Sequence, residues 1–127
     1  MRIIGHGIDI IECERIAFSL KKHPDQFLER ILTEKERAYC ESMRDPIPNI
    51  AGRFAVKEAI LKVIGTGWRG QIAWSDMEIT NNEAGAPMVT LSGEVARVAA
   101  SLGIERIIIS ISHTKHYAVG SAIGEGG

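Results

Sequence analysis

This chain of 127 residues is short of cysteine, aromatic residues and net charge, and each shortage excludes something. Cys13 and Cys40 stand alone with no metal or redox spacing, so the expected setting is reducing and cytoplasmic. A formal charge of −1 argues against bulk nucleic-acid binding, as does the absence of aromatics among the basic residues. No apolar run approaches the ~20 residues that span a bilayer, and the N-terminus shows no signal-peptide pattern, so no membrane association is expected. Internal repeats and low-complexity segments are missing as well. What is present, 45% hydrophobic and 24% charged residues, fits one soluble domain over residues 1–127, long enough to bury a core without staples.

The charge is unevenly spread. Twelve of the fifteen Lys and Arg and ten of the sixteen Asp and Glu precede residue 70, leaving that part at +2 and the remainder at −3. Between Arg44 and Arg69 five cations face only Asp45 and Glu58, an excess that suits an anionic ligand.

Arg2 to Ile11 is Ile-rich on both parities, which predicts a strand covered on both faces, thinned by Gly5 and Gly7. Asp9 near its end is an acid among isoleucines; unless it caps the next helix, Ile11 to Leu20, it needs a charged partner. Pro24 closes that helix, and Phe27, Leu28, Ile31 and Leu32 form a short helical pattern. Thr33 with Glu36 is a capping box for a helix through Met43. After the Asp45-Pro46-Ile47-Pro48 break, Asn49 is expected to cap a central helix that Gly65 stops. Beyond Gly70 come alternating strands, Ile72 to Thr80 and Pro87 to Leu91, around the turn Asn81 to Gly85. A helix capped by Ser92 runs to Ser101, then strands Arg106–Ser112 and Tyr117–Ile123 flank the turn His113 to His116. The class is α+β, with helices in the first half and mostly antiparallel strands in the second.

The central helix raises the chemical question. At ~100° per residue, Ile47, Ile50, Ala51, Phe54 and Leu61 share one apolar stripe, and Glu58 falls inside it, with Lys57 and Lys62 at its borders. A carboxylate aimed at a core is costly unless a cation meets it. An i,i+4 pair with Lys62 contributes only about 0.2–0.5 kcal/mol, too little to offset such burial. Asp9 and Glu58 together, two oxygen donors with no Cys or His set, suit Mg²⁺ better than zinc. Arg53, Lys57 and Lys62 are expected to project around Glu58 as phosphate contacts, with Ser112, His113 and Thr114 as further donors. Gly65-Thr66-Gly67 follows a helix instead of preceding one, the wrong polarity for a phosphate loop.

The motifs resemble those of the holo-acyl-carrier-protein synthases, the short bacterial class of 4′-phosphopantetheinyl transferases. The matching residues are Gly7-Ile8-Asp9 with Arg15; Phe27, Glu29-Arg30, Leu32-Thr33 and Glu36; Arg53-Phe54-Ala55-Val56-Lys57-Glu58-Ala59 with Lys62 and Gly65-Thr66-Gly67; Gly85 and Pro87; and Ser110-Ile111-Ser112-His113. The resemblance implies a long helix packed on a small antiparallel sheet, assembled as a homotrimer with active sites at subunit interfaces. It implies transfer of 4′-phosphopantetheine from coenzyme A to a serine of apo acyl carrier protein, as in fatty-acid biosynthesis, releasing adenosine 3′,5′-bisphosphate. It makes Asp9 and Glu58 magnesium ligands, and Glu58 and Lys62 the catalytic pair, with Glu58 or a metal-bound water taking the serine proton. It assigns coenzyme A binding to Arg53, Lys62, Gly65, Thr66, Gly67, Ser112, His113 and Thr114, and carrier docking to Arg15, Lys21 and Lys22. Glu12 and Glu14 depart from the pattern by diluting the positive first helix. A nucleotide-binding regulatory module without turnover would use the same cations.

Overall fold

The computed structural model describes residues 1–65 and 71–127. Among them, β1 (Arg2–Glu12) leads into α1 (Cys13–Lys22), α2 (Pro24–Ile31), α3 (Glu34–Glu41) and the long α4 (Ile47–Ile64). A short 3-10 turn (Trp74–Asp76) then precedes β2 (Met77–Asn81), β3 (Pro87–Leu91), α5 (Gly93–Ser101), β4 (Arg106–His113) and β5 (Tyr117–Gly126). The strands form a three-stranded sheet, β1-β5-β4, and a β2-β3 hairpin, all antiparallel. The α+β class holds.

The fold centres on α4, which lies across β1, β5 and β4. Buried residues occur on every side of it, among them Ile50, Ala51, Val56, Ile60, Leu61 and Val63. Each large side chain so buried contributes about 1.5–3 kcal/mol. A helix that is apolar all round belongs inside a core, and this overturns the single-stripe reading. The least covered line along the second half of α4 is Phe54, Glu58 and Lys62, at successive i+4 steps; the first two are half-buried and the third exposed. Glu58 therefore points away from the core, and the argument from its burial falls.

Glycine sets how closely β1 approaches. A Cβ at Gly7 would collide with the carbonyl oxygen of Ala59 and touch the Lys62 Cβ at 3.0 Å. Without a side chain there, strand and helix meet backbone to backbone two residues before Asp9.

Local signals fared unevenly. Thr33 and Glu36 make the expected capping box, with Thr33 N donating to Glu36 Oε1 at 2.8 Å and Glu36 N to Thr33 Oγ1 at 3.2 Å. Gly65, at φ +71°, ends α4 in the left-handed conformation as predicted. Thr66 and Gly67 lie outside the described residues. Asn49 is not the cap of α4: the helix starts two residues earlier after Pro46, with Pro48 in its first turn, where a missing N–H costs nothing. Asp9 caps nothing either, because β1 continues to Glu12 before α1 begins. Ser92 precedes α5 without a side-chain cap bond; Asp76 Oδ2 accepts from Val95 N instead, at 3.4 Å. The same oxygen accepts from Ala73 N at 3.3 Å, closing the 3-10 turn that replaces the first half of the predicted Ile72–Thr80 strand.

Only one face of β1 is covered within the chain. Gly7 and Asp9 turn towards α4, whereas Ile3, Ile8 and Ile10 are exposed on the outer side. Ile108 of β4 is exposed too and sits opposite Ile123 of β5, while Ile10 sits opposite Val119. The expectation of a strand buried on both sides is wrong for the single chain.

Candidate active site

β1 carries Asp9 and the open line of α4 carries Glu58, and both line a cleft of about 860 Å³. Its other walls come from Glu12 at the end of β1, from Glu14 and Arg15 at the start of α1, and from Phe18, Phe27 and Phe54. The two carboxylates, distant in sequence, thus line one cleft. Lys62, one turn beyond Glu58, bends back over β1. Its Nζ donates to the Ile8 carbonyl at 2.8 Å and meets Asp9 Oδ1 at 3.3 Å. Lys62 thus forms an ion pair across two elements, with Asp9 of β1.

The other cations do not gather around Glu58. Lys57 is fully buried on another side of α4, where its three protons go to the Ile31 carbonyl at 2.7 Å, Glu36 Oε1 at 2.7 Å and the Trp74 carbonyl at 3.2 Å. Burial pushes its ammonium below the ordinary lysine range, an effect that Glu36 opposes. Glu36 in turn accepts from Ile79 N at 2.8 Å and Thr33 N at 2.8 Å, so the buried pair is satisfied on both sides. Lys57 is a structural cation, not a phosphate contact.

Arg53 also leaves the cleft. Its guanidinium is buried between α4 and β2, donating to Asn81 Oδ1 at 3.1 Å and the Ile79 carbonyl at 3.4 Å beneath the Tyr39 ring. Together with Lys35, Tyr39 and Thr80 it lines a small pocket of about 230 Å³, and its buried Nε has no hydrogen-bond partner among the described residues. Sequence reasoning missed Tyr39 because cation–π stacking leaves no local pattern.

Ser112 and His113 end β4 on the far strand of the sheet, and Thr114 begins the turn; all three are exposed. Thr114 Oγ1 accepts from His116 N and Tyr117 N, which shapes that turn. The His116 carbonyl accepts from Cys13 N at 2.8 Å, tying the turn to the start of α1. Lys21 and Lys22 are exposed at the end of α1, with Lys22 Nζ 4.9 Å from the Phe18 ring centre. Phe18 and Phe27 link the main cleft to a neighbouring groove that holds Lys22, His23, Gln26 and Arg30. Phe27 entered the sequence reading only as part of a short helical pattern and a matched motif, and the place of both rings in the wall of the cleft was missed.

One chain therefore divides the expected ligand contacts among three places: the Asp9–Glu58–Lys62 cleft, the Arg53 pocket and the Ser112–Thr114 turn. No group of three or more His, Cys, Asp or Glu side chains suited to a metal exists among the described residues. That donor chemistry fits an ion content with one or two carboxylates, and does not fit a closed zinc site. No helix among the described residues is long and apolar enough to cross a membrane.

The profile of the 4′-phosphopantetheinyl transferase superfamily matches residues 5–120. Holo-acyl-carrier-protein synthase of Caldanaerobacter subterraneus is 50% identical over 95% of this chain and 94% of its own. Among solved structures, the holo-acyl-carrier-protein synthase of Neisseria meningitidis superposes with a TM-score of 0.89 at 31% identity, covering 98% of this chain and 99% of that one. That of Bacillus anthracis, determined in complex with coenzyme A (3′,5′-ADP), gives 0.81 at 38% identity, covering 98% of each.

Proposed function

The chain belongs to the holo-acyl-carrier-protein synthases of the 4′-phosphopantetheinyl transferase superfamily, and from that premise we propose how its residues divide the work. The reaction moves 4′-phosphopantetheine from coenzyme A to a serine hydroxyl of apo acyl carrier protein. The observation that carries the assignment is the shared cleft of Asp9 and Glu58, with Lys62 reaching over it.

Asp9 and Glu58 would hold a magnesium-type ion, completed by water and phosphate oxygens in the open cleft. When bound, that ion supplies neutralisation of the diphosphate as it is attacked. The serine oxygen forms a bond to the β-phosphorus, and the bond from that phosphorus to the bridging oxygen breaks, releasing adenosine 3′,5′-bisphosphate. The hydroxyl proton passes to Glu58 or to a water of the cleft. Lys62 lies beside the carboxylate pair and supplies positive charge to the departing phosphate. Arg15 lines the same cleft, and Lys21 and Lys22 continue the cationic strip along α1, a surface for an acidic carrier.

Arg53 and the Ser112–Thr114 turn would reach the same coenzyme A from a neighbouring copy of the chain. What supports this is their separation from the cleft within one chain, together with the bare isoleucines of the outer sheet face, Ile3, Ile8, Ile10 and Ile108. A homotrimer would cover that face and complete each site between subunits, and its place of action would be the cytoplasm. Incubation with coenzyme A, Mg²⁺ and apo carrier tests the reading: the carrier gains the mass of phosphopantetheine on one serine. A carrier of unchanged mass overturns it.

A further inference from the structure

Lys62 is expected of a phosphate contact, yet its ammonium is directed at a carboxylate. It meets Asp9 Oδ1 at 3.3 Å and is fixed there by the Ile8 carbonyl at 2.8 Å, so the β1 backbone itself holds the cation over Asp9. We propose that Lys62 and the metal are rivals for Asp9, so that metal binding expels the Lys62 ammonium and frees it for the anionic substrate. This rests on the assignment of Asp9 and Glu58 as the metal-holding pair.

The argument is one of space and charge. A magnesium-type ion binds a carboxylate oxygen at ~2.1 Å. An ammonium held 3.3 Å from Oδ1 then lies within about 5 Å of a double positive charge, and the two repel. Lys62 can leave, because its side chain is 53% exposed, whereas the Asp9 side chain is 21% exposed and stays with its strand. An exposed ion pair is held weakly, so the exchange is cheap and reversible. Once turned away from Asp9, the ammonium no longer spends its charge on that carboxylate and can meet an anionic ligand at the edge of the cleft. Metal and anionic ligand then help each other to bind, and by linkage the help is mutual.

The consequence has an unusual sign: deleting a residue of the site strengthens one of its ligands. The probe is Mn²⁺ alone, followed through the electron paramagnetic resonance signal of the free ion, with thermal melting as a second readout of metal binding. Lys62→Met should bind Mn²⁺ about three- to tenfold more tightly than the wild type, and its melting temperature should rise further on adding metal. Arg15→Gln, which removes another cation from the same cleft, should change the affinity less than about twofold, separating rivalry at Asp9 from general charge. In an Asp9→Asn background the Lys62→Met effect should vanish. Equal or weaker binding by Lys62→Met overturns the rivalry, and leaves the metal assignment standing if Asp9→Asn still weakens Mn²⁺. If neither the wild type nor Lys62→Met binds Mn²⁺, or if Asp9→Asn binds as the wild type does, the metal assignment fails and the rivalry with it.

Discussion

Lys57 and Glu36 meet at 2.7 Å with neither side chain exposed to solvent. The pair joins α4 to α3, and through Ile79 N to β2, while Lys57 reaches Trp74 as well. It stands next in sequence to Glu58 but on another side of the helix, so it fixes the rotation at which α4 presents Glu58 to the cleft.

Breaking one member of that pair leaves a buried, uncompensated group. Lys57→Met or Glu36→Leu alone should therefore destabilise the fold by about 3–5 kcal/mol. The double variant should recover part of that loss, because no buried charge is left unpaired, while the backbone groups that Lys57 and Glu36 held lose their partners. Urea denaturation of the four proteins checks the cycle, and additive losses would show that the two side chains do not act as a unit.

Asp9 and Glu58 should behave in the opposite way. Neither is deep in the core, so Asp9→Ala and Glu58→Ala should stay folded, with melting curves close to the wild type, and lose most turnover. The measurement is kcat with coenzyme A and apo carrier in excess Mg²⁺. Full activity in either variant would remove it from the site.

The cationic strip on α1 predicts a separation of kinetic effects. Reversing charge at Arg15 and Lys21 should raise KM for the carrier several-fold and leave KM for coenzyme A unchanged. An unchanged carrier KM would move the docking surface elsewhere.

The two thiols yield a pH prediction. Burial pushes Cys40 up to about 11 from an ordinary 9.0, and Cys13 upwards too. Both should resist alkylation in the native state at neutral pH. Between pH 9.0 and about 11 the folded protein holds the Cys40 proton that the unfolded chain releases. Stability from this group is thus complete below pH 9.0 and falls as pH rises through that window, by at most about 2–3 kcal/mol. Cys40→Ala should flatten this part of the melting-temperature profile relative to the wild type.

Features encoded within a few residues were legible in the sequence. The Thr33–Glu36 box and the Gly65 stop each depend on neighbours three or four positions away, and both occur where expected. Asp9 was legible for another reason, since an acid inside an isoleucine strand is chemically anomalous wherever the strand goes. The orientation of α4 was not legible. Its apolar residues are too evenly distributed to define one stripe, so the core-facing side depends on what surrounds the helix. Nor did anything near Lys57 announce Glu36 in another helix. The Ser92 cap failed in the same manner, because Asp76 came from outside the helix to take the role.

The least covered line, Phe54, Glu58 and Lys62, also fixes what random substitution of α4 should reveal. A library sorted only for folded protein should tolerate change at Glu58 and Lys62 and reject it nearly everywhere else in this half of the helix, including Phe54, which stacks on Trp74. Sorted for carrier modification instead, the same library should lose the variants at Glu58 and Lys62 that survived the first sort. Where those two maps diverge, selection for a foldable chain and selection for a working one act on different sides of a single helix.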